Sequence, residues 1–149
     1  MNRRNMLWSA LASLGAGIAV THAQAAPTET SSPRQKVVYH LADADRVSFA
    51  LGNIGHHLDG VGGAEHIDIV LVVLGPALRL FHRETANPDI AGRVAKFAKA
   101  GVAMAACKNT MKAQDIALDG LLPGFSIADK GGVVKITELQ MQGYAYIRP

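Results

Sequence analysis

The feature that most constrains the fold is an aliphatic run, IDIVLVVLG at 67–75. A strand with one face in solvent alternates apolar and polar residues, whereas this run is almost continuously apolar. Such a pattern is typical of a strand covered on both faces, as in a parallel sheet with helices packed on each side. The sequence therefore predicts an α/β fold.

Four more short runs have the composition of strands and alternate with segments of helical periodicity. They are KVVYHL at 36–41, VAMAAC at 102–107, FSIAD at 125–129 and YAYIRP at 144–149. Because parallel strands need crossover connections that are usually helical, this alternation predicts a mainly parallel sheet of five strands with helices on both faces.

Each predicted helix has one apolar face. After the first strand, Asp43 or Asp45 is placed to cap a helix whose apolar residues recur at spacings of three and four. Those residues are Val47, Ala50, Leu51, Ile54 and Leu58, and in IAGRVAKFAKAG they are Ile90, Val94, Phe97 and Ala98. The other predicted helical segments are ALRLFHR after Pro76, NTMKAQD, the turn LDGLLPG, and VVKITELQMQG.

The first 25 residues have the pattern of a signal peptide. Arg3 and Arg4 precede the uncharged run LWSALASLGAGIAV, and AQA at 23–25 supplies the small residues that signal peptidases accept. The paired arginines resemble a twin-arginine signal, and an ordinary secretory signal is the alternative. The run has about 14 residues where a membrane span needs roughly 20, so we expect no stable span after cleavage near Ala25.

We therefore expect a periplasmic protein with a flexible lead-in at 26–35, APTETSSPRQ, and a single domain at 36–149. Removal of residues 1–25 leaves 13 Lys and Arg against 12 Asp and Glu, a formal charge of +1. With so little excess positive charge and few aromatic residues for stacking on bases, we expect no nucleic-acid partner.

Cys107 is the single cysteine of the chain. It has no internal disulfide partner, so in an oxidising compartment it is either a buried, inert residue or a thiol available for chemistry. It ends the third predicted strand, at the sheet edge where ligands and reactive groups collect. If Asn109 and Thr110 begin a helix, the free amides of its first turn face the sulfur, and Lys108 and Lys112 add positive charge. These influences favour a thiolate.

His40 ends the first predicted strand, which makes it a candidate neighbour that activates Cys107. The alternative is a histidine that only satisfies backbone groups at a strand end. Asn109, Thr110 and Lys112 are also candidates to bind an anion such as thiosulfate or sulfite at the helix start, or else simply cap and solvate that helix.

We expect no metal site and no bound cofactor. His56 and His57 are consecutive, so on a helix they point about 100° apart and do not chelate together. The chain contains no CxxC or HExxH, and GVGG at 60–63 follows a predicted helix where dinucleotide binding needs a glycine loop directly after a strand.

Several stretches together resemble the DsrE/DsrF-like family of sulfur-relay proteins. They are KVVYHL with DADRVSFALGNIGHHLDG, IDIVLVVLGPAL, GVAMAACKNTMKAQDI, and LLPGFSIADKGGVVKITELQMQGYAYIRP, within 36–149. The resemblance is to the small members that carry signal peptides. It implies a three-layer α/β/α sandwich and assembly into homo-oligomers such as trimers or hexamers, or into mixed complexes.

In sulfur-carrying members of that family, a cysteine at this strand end holds sulfur as a persulfide and passes it to a thiol of a partner. Cys107 matches that position. The resemblance implies a sulfur carrier, transferase-like at most, with a donor or acceptor protein as partner. The alternative hypothesis is a non-catalytic oligomeric module that binds a small ligand or metal, in which Cys107 is structural.

Overall fold

The computed structural model describes residues 33–149 of the protein. The predicted signal peptide and most of the predicted lead-in lie outside the described residues. Across 33–149, every helix is too short or too polar to cross a bilayer.

Strands and helices alternate along the described chain. The strands are β1 (Gln35–Leu41), β2 (Ile67–Val73), β3 (Ala103–Cys107), β4 (Phe125–Ala128) and β5 (Ala145–Ile147). The α-helices are α1 (Val47–Gly60), α2 (Pro88–Lys99), α3 (Lys108–Gln114) and α4 (Gly132–Met141). Short 3₁₀ segments occupy Ala44–Arg46, Ala64–His66, Gly75–Phe81 and Leu118–Gly120.

The five strands form one parallel sheet in the order β4-β3-β2-β1-β5. β2 is the central strand, which is why all of its residues except the half-buried Asp68 are buried. The nearly unbroken aliphatic run therefore reflects a strand that has neighbours on both edges and packed layers on both faces. The predicted parallel sheet of five strands is confirmed.

Helical layers cover both faces of the sheet. The larger apolar cluster lies on the face that α1, α2, α3 and the Gly75–Phe81 segment cover, and it includes Leu51, Leu71, Phe81 and Met111. The smaller cluster lies under α4 and consists of Val38, Val70, Val72, Ile136 and Leu139. The α/β/α sandwich expected from the family resemblance is thus present.

The apolar faces predicted for α1 and α2 agree with the structure. All five predicted α1 positions are buried, as are Ile90, Val94 and Phe97 of α2, while Ala98 is only half-buried. The predicted cap of α1 is wrong. Neither Asp43 nor Asp45 makes a capping hydrogen bond, because Asp43 instead pairs with Arg148 (Oδ2 to Nη2, 3.0 Å) and α1 begins after Arg46.

The segment after β2 also differs from its prediction. Gly75–Phe81 is a 3₁₀ helix where periodicity predicts an ordinary helix. The amide of Ala77 donates to the carbonyl of Ala42 at 2.9 Å, so the start of the segment is bonded to the loop after β1. Those long-range bonds hold the segment against the carboxyl edge of the sheet.

Candidate functional site

Cys107 is the last residue of β3 and directly precedes α3. Its backbone is still extended, with φ −64° and ψ 118°, and its side chain is buried, with only 6% of the residue exposed. The register with Ala128 of β4 and the alternation of side chains along β3 place the sulfur on the α4 face of the sheet.

Four hydrogen bonds converge on the sulfur of Cys107. Backbone amides of Asn109 and Thr110 come from the first turn of α3, and the amide of Gly132 comes from the first residue of α4. The hydroxyl of Thr110 makes the fourth. Amides at a helix start have no partner within their own helix, so two helix starts supply unpaired donors to one atom.

Burial and hydrogen bonding act in opposite directions on this thiol. Burial is the largest single influence and raises the pKa of Cys107, because a thiolate is less stable away from water. The amides of Thr110, Gly132 and Asn109 and the Thr110 hydroxyl lower it, and together they outweigh burial. The pKa of Cys107 therefore lies below its ordinary value of 9.0, although the sulfur is almost sealed from solvent.

Two consecutive glycines allow α4 to begin this close to the sulfur. Gly131 has φ +96° and ψ 160°, a conformation almost restricted to glycine, and an added Cβ would lie 2.9 Å from Nδ2 of Asn109. A Cβ on Gly132 would lie 3.0 Å from Leu74 Cδ2 and 3.3 Å from the Cβ of Cys107. The predictions from sequence miss the contribution of Gly132, whose one signal is a Gly-Gly pair where the last helix begins.

Thr110 connects the sulfur to the end of β2. Its hydroxyl oxygen accepts the amide proton of Gly75 at 3.0 Å, and the hydroxyl donates to the sulfur of Cys107. A hydroxyl has one proton, so the bond from Gly75 leaves that proton free for the sulfur. Nε2 of Gln114 donates to the carbonyl of Gly75 at 2.9 Å, so both backbone groups of Gly75 are held by α3.

The lysines predicted to surround Cys107 are not among the groups that shift its pKa. Lys108 forms an exposed ion pair with Asp129, with 3.2 Å between Nζ and Oδ1. Lys112 lies exposed in the last turn of α3. The lowered pKa of Cys107 is thus a consequence of hydrogen bonds.

His40 is on the same face of the sheet as Cys107, but β2 lies between their strands. Neighbouring strands are about 4.8 Å apart, so the imidazole is not adjacent to the sulfur. Its Nδ1 is instead 2.7 Å from the hydroxyl of Tyr146 on β5. Burial lowers the pKa of His40, the charge of Arg148 lowers it further, and Asp43 raises it.

Two open cavities flank the buried sulfur, and Cys107 itself lines neither of them. One, of about 190 Å³, is formed where β4 leads into α4 and is lined by Ala128, Asp129 and Gly131 among others. The other, of about 400 Å³, lies between the Gly75–Phe81 segment and α3 and is lined in part by Thr110.

A family model for the DsrE/DsrF-like family matches residues 20–149. The chain belongs to the DsrE/DsrF-like family. The family resemblance predicted from the sequence is therefore confirmed. No curated protein matches the chain.

Three solved structures share the fold of this DsrE/DsrF-like protein. It is 28% identical to MTH1491 of Methanobacterium thermoautotrophicum, a protein of unknown function, with a TM-score of 0.68 over 77% of this chain and 99% of that one. YchN of E. coli is 16% identical, with a TM-score of 0.65 over 77% and 99%. BT1422 of Bacteroides thetaiotaomicron is 14% identical, with a TM-score of 0.54 over 77% and 95%. At 16% and 14% identity, the last two show the fold alone.

The histidines of this DsrE/DsrF-like protein serve other contacts. Nδ1 of His57 is 2.9 Å from the hydroxyl of Tyr39, and His56 is exposed. Between residues 33 and 149, no three His, Cys, Asp or Glu side chains are grouped so as to hold a metal ion.

The contacts of the sulfur define what this DsrE/DsrF-like site can do chemically. The groups that touch it are amides and a hydroxyl, which stabilise negative charge but do not exchange protons near neutral pH. The thiolate is the form of cysteine that attacks the sulfur of a disulfide or persulfide. The site is therefore suited to holding an anionic sulfur rather than to acid–base catalysis.

Proposed function

We propose that this chain is a sulfur carrier that holds sulfane sulfur as a persulfide on Cys107. The observation that carries the proposal is the convergence of three amides and the Thr110 hydroxyl on one sulfur. Donors that favour a thiolate equally stabilise the negative charge of a persulfide. Membership of a family that includes sulfur-relay proteins supports the same function.

The loading step is a thiol exchange at sulfur. The Cys107 thiolate attacks the outer sulfur of a donor persulfide, R–S–SH, and a bond forms between Sγ and that sulfur. The donor S–S bond breaks, and its electron pair leaves on the inner sulfur as the thiolate R–S⁻. The products are Cys107–S–SH and R–S⁻, so no oxidant is consumed. Unloading repeats the exchange with the thiolate of an acceptor protein.

We also propose that the mature protein works in the periplasm as a homo-oligomer, a trimer or a hexamer. The signal-like pattern of residues 1–25 supports export. Apolar side chains exposed on α4 support self-association, since Val133 is 67% exposed and Met141 is 84% exposed. Light scattering of the mature protein tests assembly, and a wild-type monomer would contradict it. Fractionation of expressing cells tests the location.

One observation favours a second function. Cys107 is only 6% exposed, as expected for a cysteine that fills the core of a non-catalytic oligomeric module. In that case the lowered pKa of Cys107 is a by-product of where two helices begin, and the chain takes part in no sulfur exchange.

Intact-mass measurement separates the two functions. The reduced mature protein is treated with inorganic polysulfide, and we expect a gain equal to one or more sulfur atoms in wild type and none in Cys107→Ser. Thr110→Ser, which keeps the hydroxyl, is the matched control and should gain mass. If the native protein gains no sulfur and resists iodoacetamide, while denatured protein is alkylated, Cys107 is structural and the carrier function is wrong.

A further inference from the structure

All of the exposed residues of α4 are uncharged. They are Val133, Val134, Thr137, Gln140 and Met141, here called the α4 stripe. At 3.6 residues per turn, these positions lie within an arc of about 120° whose centre is near Thr137. Val133 is 67% exposed and Met141 is 84% exposed, so apolar side chains face outward at both ends of the stripe.

A comparison with α2 shows that the α4 stripe is unusual in this chain. The exposed residues of α2 include Asp89, Lys96 and Lys99, as expected for a helix face in contact with water. The two charged residues of α4, Lys135 and Glu138, lie to one side of the stripe and line a cavity beside β4. The centres of protein–protein contacts are depleted of charged residues and enriched in methionine. The α4 stripe therefore has the composition of an interface.

The order of residues along the α4 stripe fits a second copy of the same helix. Val133 and Val134 lie four and three residues before Thr137, and Gln140 and Met141 lie three and four residues after it. An antiparallel copy centred on the same threonine therefore places the valines of each helix against the methionine of the other. It also places the positive amino end of each helix beside the negative carboxyl end of the other, so the partial charges of the two helices are complementary.

Thr137 can be covered at the centre of the stripe without losing a hydrogen bond. Its hydroxyl already donates to the carbonyl of Val133 at 3.1 Å, within α4 itself. Burial of a polar group costs free energy mainly when the group is left unpaired. The polar residue at the centre of the stripe is thus compatible with a buried contact.

We infer that α4 packs antiparallel against α4 of a second copy of the chain, across a two-fold axis near Thr137. This inference rests on the proposed self-association, since it names the surface that joins two copies. A two-fold contact occurs in a dimer and in a hexamer of two trimers but not in a lone trimer, so it favours the hexamer over the trimer. The first residue of α4 is Gly132, so the second copy packs on the helix that supplies a donor to the sulfur of Cys107.

Single cysteines introduced into a Cys107→Ser background test the contact, because that background has no other thiol. A residue on the two-fold axis faces its own copy, so Thr137→Cys should give a disulfide-linked dimer as its main product on mild oxidation. Val134→Cys and Met141→Cys should each give little dimer alone and a mixed dimer, identified by intact mass, when they are co-expressed. Ala95→Cys, exposed on α2, is the matched control and should stay unlinked. Linkage of Val134→Cys and Met141→Cys each with itself would indicate a parallel pair and overturn the inference.

Light scattering gives a second readout. Met141→Lys places a charge in the α4 stripe and should halve the mass of the assembly, whereas Ala95→Lys should leave it unchanged. If wild type is an oligomer but Thr137→Cys does not link and Met141→Lys keeps the full mass, the α4 stripe is not the contact and self-association stands. If wild type is a monomer, both are wrong. Sulfur loading of Cys107 is measured separately by mass gain, so failure of this inference is distinguishable from failure of the carrier function.

Discussion

Replacement of Thr110 by valine tests whether its hydroxyl holds the sulfur site together. Valine has almost the same shape as threonine, but its side chain neither donates nor accepts a hydrogen bond. The substitution therefore removes Oγ1 of Thr110, which accepts the amide proton of Gly75 at 3.0 Å in wild type. It also removes the side-chain hydroxyl that donates to the sulfur of Cys107. Thr110→Ser, which keeps the hydroxyl and loses one methyl group, is the matched control.

The expected loss of stability follows from the unpaired amide of Gly75. A buried donor without a partner costs about 1–3 kcal/mol, and because Gly75 is half-buried we expect about 1–2 kcal/mol. With a urea dependence of about 2 kcal/mol per molar for a domain of this size, the unfolding midpoint of Thr110→Val falls by about 0.5–1 M. Thr110→Ser should lose less than about 0.8 kcal/mol, the value of one fully buried methyl group.

The same substitution changes the titration of Cys107. Loss of the hydroxyl removes one of the hydrogen bonds that lower the pKa of the thiol, so its pKa rises in Thr110→Val. The ultraviolet absorbance of the thiolate, followed against pH in reducing buffer, measures this without requiring a reagent to enter the buried site. A wild-type urea midpoint together with a wild-type titration curve in Thr110→Val would refute the role assigned to the hydroxyl.

Three further predictions concern the site and its surroundings. Folding lowers the pKa of Cys107 below its ordinary value of 9.0. Between those two pKa values, the free energy of unfolding of wild type, measured relative to that of Cys107→Ser, should therefore rise with pH. A difference between the two proteins that does not change with pH would contradict this. Arg148→Gln should raise the pKa of His40 in an NMR titration, and an unchanged value would exclude that charge effect. In urea unfolding, Gly131→Ala should lower the free energy of unfolding by about 1–3 kcal/mol, because alanine rarely adopts a positive φ. Gly92→Ala is the control, since Gly92 is exposed on α2 with open space around the added carbon, and it should raise the free energy of unfolding by about 0.5–1 kcal/mol. Equal changes in the two variants would disprove the backbone reasoning.

The strands and the two long helices on the larger cluster could be predicted because burial determines their residue patterns. β2 is apolar at nearly every position because it is the central strand and helical layers cover both of its faces. The α1 and α2 patterns reflect one buried face each. The Gly75–Phe81 segment has the same kind of pattern, but its geometry depends on long-range hydrogen bonds such as that from the amide of Ala77 to the carbonyl of Ala42. The spacing of apolar residues along the chain gives no information about such bonds.

The part of the site that is local in sequence could also be predicted. Cys107, Asn109 and Thr110 are close along the chain, so a strand that ends where a helix begins places their amides at the sulfur. His40 illustrates the opposite case. Alternating strands and helices fix the parallel direction but not the order of strands, and β2 separates His40 from Cys107. Its partner Tyr146 belongs to a strand at the far end of the chain.

The approach of α4 supplies one of the four donors to the sulfur, and that donor is far along the chain from Cys107. Three of the four donors are backbone amides, so side-chain changes at Asn109 or Lys112 leave those donors in place. The Gly132 amide, in contrast, reaches the sulfur only because positions 131 and 132 have no side chains to meet Asn109 and Leu74. A larger residue at position 132 would move α4 outward and withdraw an amide, while burial would still raise the pKa of Cys107. The capacity of this fold to hold an anionic sulfur thus depends in part on a glycine pair more than 20 residues away from the cysteine.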